Sequence, residues 1–141
     1  RLLLVSPAKP CKVGSQGRDT LEDAPIIYVH SKVSVFDDSR AILSSANLNG
    51  RSFHWDTEAG LDLNQPAQVA VLRAAAMGAW LPKGYGDIAT APDTAFGIWQ
   101  ELALQNANTP PENRHGLIIP HDPKPARSFG RPLPGVPDEI A

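Results

Sequence analysis

The chain contains little cysteine, few aromatic residues and no excess of positive charge. Its single cysteine, Cys11, excludes an internal disulfide, which is compatible with the cytoplasm but does not establish it. Lys and Arg number 13 against 15 Asp and Glu, so no global basic field would recruit nucleic acid. No uninterrupted apolar run in the printed sequence approaches the roughly 18 residues of a membrane span. These absences favour an ordinary globular domain.

Proline is the residue type in clear excess. The 141 residues are 42% hydrophobic, which is enough for one domain with a packed core. Of the 14 prolines, eight fall within residues 108–141. We therefore predict a domain at residues 1–107 and a proline-rich tail at residues 108–141. Such a tail would be extended, and would either pack on a neighbour or stay loose.

Hydrophobic patterning predicts both strands and helices, an α/β composition. We expect strands at residues 2–5, 26–36, 41–45 and 57–63 from their short, apolar or alternating runs. Helical spacing of apolar residues predicts helices at residues 66–80 and about 93–106. Residues 6–25 are rich in Pro, Gly, Lys and Asp and are expected to form a loop.

The stretch from His30 to Asn47 carries the most informative residues. Alternate side chains of a strand share a face, so His30 and Lys32 would point the same way, about 7 Å apart. An imidazole can act as nucleophile or as acid near neutral pH, and attack on a phosphodiester uses both functions. Lys32 and Asn47 can take up charge on the non-bridging oxygens, and Ser45 can donate its hydroxyl. This combination favours phosphodiester chemistry.

Four further side chains near this stretch are candidates for supporting roles. A carboxylate should orient the imidazole through its second nitrogen, and Glu58 on the next predicted strand is the candidate. Asp37 closes the predicted hairpin, and we expect it to fix the turn rather than touch substrate. Arg51 and the nearby Asn49 are candidates to bind a headgroup, with a salt bridge of Arg51 at a helix start as the equal alternative.

No metal or cofactor site is predicted. His115 and His121 flank an apolar run, but a two-histidine site lacks a recognisable third ligand. Lysine and amide groups can do the charge work of phosphodiester attack. We therefore expect the reaction to need no metal ion and no cofactor.

One ordered motif runs through these residues. It reads His30-x-Lys32-x4-Asp37-x6-Ser44-Ser45-x-Asn47. This order resembles the HKD motif of the phospholipase D superfamily, and its flanks are similar to those of the C-terminal motif in two-motif bacterial members. The resemblance implies His30 as the catalytic histidine and Lys32 with Asn47 as phosphate ligands. It also implies Glu58 as the partner of His30.

The same resemblance implies an αβα sandwich whose active site is built from two HKD motifs facing each other. One histidine then forms a phosphohistidine and the other protonates the leaving alcohol. This sequence has one such motif, preceded by 29 residues, and Ser44 stands where the family usually has glycine. We expect the chain to be the C-terminal half of a longer two-motif protein. Its N-terminal half would belong to the same protein or to a separate chain, with His30 as general acid and the isolated chain inactive.

The activity implied is hydrolysis or transfer of phosphatidyl groups, with a phospholipid as substrate. A nuclease of the same family is an alternative, although we would expect more Lys and Arg near its site. A cardiolipin-synthase-like transferase is a second alternative, and a non-catalytic partner half is a third. The compartment stays open: the expectation is a soluble protein, in the bacterial cytoplasm or secreted or periplasmic, that touches membrane surfaces transiently.

Overall fold

A computed structural model describes residues 2–15, 17, 19–86 and 89–124 of the chain. Strands and helices are mixed, as predicted for an α/β composition. The described residues divide into two compact units. The first is built from residues within 1–29 and 71–123, and the second from residues 30–70. All the candidate site residues lie in the second unit.

The described part of the chain contains seven strands and three α-helices. The strands are β1 (Val5–Pro7), β2 (Thr20–Leu21), β3 (Ala24–Pro25), β4 (Lys32–Phe36), β5 (Arg40–Ser44), β6 (Gly60–Leu63) and β7 (Ile118–Pro120). The helices are α1 (Gly50–His54), α2 (Pro66–Gly78) and α3 (Pro92–Ala107), followed by a single 3₁₀ turn at Pro111–Asn113. The two predicted helices are thereby confirmed, with ends that differ by one or two residues.

An antiparallel three-stranded sheet in the order β4-β5-β6 frames the second unit. Ala41 on the central strand is completely buried. Arg40 and Asp62 form a two-pronged ion pair between β5 and β6, with N–O distances of 2.9 and 2.8 Å. Both side chains are more than half exposed, so water screens this pair and its contribution to stability is small.

A tight turn joins β4 to β5 and fixes their register. Phe36 pairs with Arg40, which leaves residues 37–39 as the loop. Asp37 adopts φ 49°, in the left-handed region that Asp and Asn tolerate better than other side chains. The Ser39 backbone N–H donates to the Phe36 carbonyl at 3.3 Å. The register set here decides which residue of β5 lies opposite Lys32.

The first unit is held by two small strand pairs and a buried cluster. β1 pairs with β7, and β2 pairs with β3. Ala8, Leu21, Ala24 and Ile119 form the cluster, with exposed fractions between 0% and 8%. α3 packs against β7. The Asn106 side chain on α3 donates to the carbonyls of His115 and Ile118, so it ties the segment leading into β7 to the helix.

The strand predicted at residues 26–36 is divided between the two units. Ile26 bridges to Ala8, and the Ile27 N–H donates to the Pro7 carbonyl at 2.8 Å, so this end joins the first unit. The strand of the second unit begins only at Lys32. The alternation of apolar residues continues across this division, so the sequence predicts one strand. In the structure the two ends of the segment pair with different partners.

Two other segments differ from expectation. The strand expected at residues 2–5 lies at Val5–Pro7, because its pairing with β7 centres on Ser6 and Ile119. The segment expected to be a loop at residues 6–25 contains the last two residues of β1 and the whole of β2 and β3. The turn between β2 and β3 uses two acidic residues in left-handed conformation.

The described part of the proline-rich segment contains regular structure. Its described portion contains the 3₁₀ turn and β7, and Ile118 and Ile119 are almost completely buried. Residues 125–141 lie outside the described part, so the division into a half-domain at 1–107 and a tail at 108–141 stays a prediction. Among the described residues, no helix is long and apolar enough to cross a bilayer.

Replacement of Asp37 tests the turn. An alanine at φ 49° keeps the Cβ and loses the polar group that eases this conformation, so Asp37→Ala should lower the free energy of unfolding by about 1 kcal/mol. Asp37→Gly should cost less, because glycine adopts this conformation freely. Urea unfolding of both variants at neutral pH measures the difference. Equal losses would point to a side-chain contact of Asp37 in place of backbone conformation.

Candidate active site

A row of paired residues crosses the sheet at the C-terminal end of β5. Lys32 on β4 pairs with Ser44 on β5, which pairs with Gly60 on β6. A Cβ on Gly60 would lie 2.9 Å from the Leu43 carbonyl oxygen, closer than real Cβ contacts. The strands therefore approach closely only because residue 60 is glycine. Paired residues share a face, so the half-buried Lys32 side chain emerges beside Ser44.

Ser44 stands where the motif usually has glycine, and its hydroxyl forms a hydrogen bond within the protein. Its Oγ accepts the backbone N–H of Ala46 at 2.9 Å. This local side-chain-to-backbone bond turns the chain out of β5 and into the loop that carries Asn47.

The Glu58 carboxylate is held by the hydroxyl of Ser45. Ser45 Oγ donates to Glu58 Oε2 and accepts the Ala59 N–H at 3.0 Å. The Ser45 backbone N–H in turn donates to the Ala59 carbonyl at 2.9 Å.

The pKa of Glu58 is lowered below its ordinary value of 4.5 by these contacts. The hydrogen bond from Ser45 is the largest cause, and the bond from Ser52 is the next. Partial desolvation opposes them, while the positive charges of Lys32 and Arg51 act in the same direction. Glu58 is therefore a carboxylate at neutral pH, with two cations within electrostatic range.

The loop after β5 is fixed by α1. The Asn47 backbone N–H donates to Ser52 Oγ at 3.0 Å, and the Ser52 N–H donates to Asn49 Oδ1 at 3.0 Å. The second contact is the N-cap of α1, since Asn49 has extended backbone and Gly50 begins the helix. The Asn47 side chain itself is exposed, next to the row that carries Lys32.

The backbone N–H groups of residues 45–47 are all used within the protein. They donate to the Ala59 carbonyl and to the hydroxyls of Ser44 and Ser52. A loop whose N–H groups are occupied cannot cradle an anion with its backbone. Contact with a phosphate at this place therefore falls to side chains, of which Lys32 and Asn47 are the nearest cation and amide.

A phospholipase D family model matches residues 13–103, more than half of the chain. The chain belongs to the phospholipase D family. No curated protein and no solved structure matches it significantly. The matched range contains the whole motif and Glu58, so the family assignment and the site geometry concern the same residues.

The remaining candidate residues of this phospholipase D-family chain are exposed. His30 lies two residues before β4, and its side chain faces solvent. Arg51 forms an ion pair with Asp56 at 3.1 Å, the kind of contact that was the alternative to headgroup binding. The roles of Arg51 and Asn49 in substrate binding, and of Glu58 as the partner of His30, stay predictions.

One residue that sequence reasoning missed is Ser52. It is only 9% exposed, although its neighbours Arg51 and Phe53 are exposed. The signal that could have found it is the pattern Asn49-x-x-Ser52, which is typical of a helix N-terminus. Among the described residues, no group of three or more His, Cys, Asp or Glu side chains could hold a metal ion.

The lowered pKa of Glu58 predicts a pH-dependent effect on stability. A carboxyl group whose folded-state pKa lies below its unfolded value stabilises the fold above the unfolded pKa. That stabilisation is lost as the pH falls through the folded-state pKa. Glu58→Gln should therefore be less stable than wild type at neutral pH, and the difference should shrink as the pH falls below 4.5.

Urea unfolding of wild type and Glu58→Gln at a series of pH values measures this difference. Glu112→Gln, an exposed position in the other compact unit, serves as the control for removal of one negative charge. A Glu58 difference that stays constant across the acid range would contradict the contacts described for its carboxylate.

Proposed function

We propose that the chain supplies one wall of a two-walled phosphodiesterase site that hydrolyses or transfers phosphatidyl groups. The observation that carries this proposal is the convergence of three separate segments. Lys32 from β4, the Asn47 loop after β5 and the Glu58 carboxylate before β6 meet at one end of the sheet. In this proposal the α/β unit becomes part of an αβα sandwich when the second HKD half is present.

The proposed reaction uses two histidines, one from each wall. The histidine of the other half attacks phosphorus, and the bond to the leaving alcohol breaks. His30 gives its proton to that leaving oxygen, and a phosphohistidine remains on the other half. A water or alcohol then gives its proton to His30 as it attacks phosphorus, which releases the phosphatidyl group and restores both histidines.

The other motif residues stabilise charge during both steps. The Lys32 ammonium and the Asn47 side-chain amide can each donate to non-bridging oxygens of the phosphate. Glu58 is already an anion and stands within electrostatic range of Lys32. We further propose Glu58 as the group that orients His30, and Asp37 as a turn residue without substrate contact. These groups provide the charge compensation for a reaction that needs no metal.

A lipid substrate fits the surface around the site better than a nucleic acid. Leu48, Phe53 and Trp55 are 94%, 62% and 66% exposed, all within eight residues of Asn47. The cation nearest to them, Arg51, is already paired with Asp56. Acyl chains would find apolar contacts here, whereas a polyanionic backbone would find few free cations. The net charge of −2 agrees with this choice.

The role of His30 predicts a large loss of turnover on its removal. His30→Ala in the assembled two-motif protein should lower kcat by about 10²- to 10⁴-fold, the usual worth of a positioned general acid. Release of choline or glycerol from phosphatidylcholine or phosphatidylglycerol vesicles measures the rate, in the presence of EDTA to test metal independence.

His54→Ala is the matched control, because it removes an exposed histidine from the same unit. It should keep the rate within about twofold, well below the effect of losing a general acid. Equal activity in the His30→Ala protein would sink the assignment of the general acid. Complete loss of wild-type turnover in EDTA, restored by added metal, would contradict a metal-independent mechanism.

A further inference from the structure

Ser52 has no role in the predicted motif, yet it occupies the centre of the site's hydrogen bonds. It is the one buried residue of α1, at 9% exposure. Serine is not a strong helix former, and a short exposed helix gives no packing reason for a hydroxyl inside. Its burial therefore calls for an explanation in terms of hydrogen bonding.

The Ser52 hydroxyl anchors the loop that carries Asn47. Its oxygen accepts the Asn47 backbone N–H at 3.0 Å. The Ser52 side chain also helps to lower the pKa of Glu58. Alanine offers no acceptor to the Asn47 N–H, while threonine keeps the hydroxyl.

Ser45 contacts Glu58, but it does not fix the loop. At the end of the β5–β6 ladder its backbone N–H donates to the Ala59 carbonyl, and its Oγ accepts the Ala59 N–H. The Asn47 backbone lies beyond that ladder, and its N–H is anchored by Ser52. The position of the Asn47 amide relative to Glu58 and Lys32 thus depends on this one hydroxyl.

We propose that Ser52 is a positioning residue, whose hydroxyl anchors the Asn47 backbone to α1 and so holds the phosphate-binding side chain of Asn47 in place. This inference rests on the proposed function, since it concerns the same phosphate. Ser52 touches neither substrate nor the reacting atoms. It acts through Asn47, and the helix cap at Asn49 holds Ser52 in turn.

The test uses the 141-residue chain and tungstate as the phosphate-like probe. Side-chain ¹³C NMR follows the titration of Glu58, and ¹H–¹⁵N NMR follows the Asn47 side-chain amide as tungstate is added. Ser52→Ala should raise the pKa of Glu58 toward its ordinary value, because the Ser52 side chain helps to lower that pKa. Tungstate should bind about tenfold more weakly, which is the size of effect expected from the loss of one hydrogen bond to a charged group.

Two variants separate positioning from folding. Ser52→Thr keeps the hydroxyl and should preserve both the Glu58 titration and tungstate affinity within about twofold, since a tenfold effect needs a lost bond. Ser39→Ala removes an exposed hydroxyl whose partner is the Phe36 carbonyl in the β4–β5 turn, and should change neither readout. In the wild-type chain the Asn47 backbone amide should exchange slowly with solvent, which tests the anchor without any substitution.

The outcomes distinguish the two proposals. Tungstate binding that survives Ser52→Ala, with the Glu58 titration unchanged, would overturn the role of Ser52 alone. Rapid exchange of the Asn47 backbone amide in wild type would overturn it as well. A wild-type chain that does not bind tungstate near Asn47 would overturn the proposed function, and the role of Ser52 toward phosphate would fall with it.

Discussion

The ionised carboxylate of Glu58 is the constraint on which the site depends. The Ser45 hydroxyl at the end of β5 donates to it, and two cations lie within electrostatic range. A carboxylate can accept several hydrogen bonds at once, so it can join segments that no strand pairing connects. Without this anion, the Ser45 hydroxyl would lose its acceptor.

The sheet supplies the geometry that this carboxylate needs. Lys32, Ser44 and Gly60 pair in one row across the three strands. This row brings together the Lys32 ammonium, the residue before the Asn47 loop and the strand that follows Glu58. Close approach of β5 and β6 requires glycine at residue 60. Because backbone N–H groups of the loop are consumed internally, the charge on a phosphate must be met by side chains, which agrees with a motif defined by side-chain identity.

The motif, the two long helices and the β4–β5 hairpin could be predicted from the sequence, because each depends on local spacing. The family assignment followed from the order of the motif residues. Long-range pairings could not be predicted: Ile26 and Ile27 bind the first unit, and Ile118–Pro120 pairs with β1 across more than a hundred residues. Ser52 was missed for a similar reason, since its contact appears only when the Asn47 backbone and α1 are brought together.

The central claim is that this chain provides one of the two halves of the active site. The most direct test measures how the activity depends on the ratio of the two halves. The purified chain is mixed with increasing amounts of a separately expressed polypeptide that carries the second HKD half. Phosphodiester hydrolysis is measured at each ratio. The account predicts no turnover by the monomer and a rate that saturates at one second motif per chain. Full turnover by the monomer alone would contradict it.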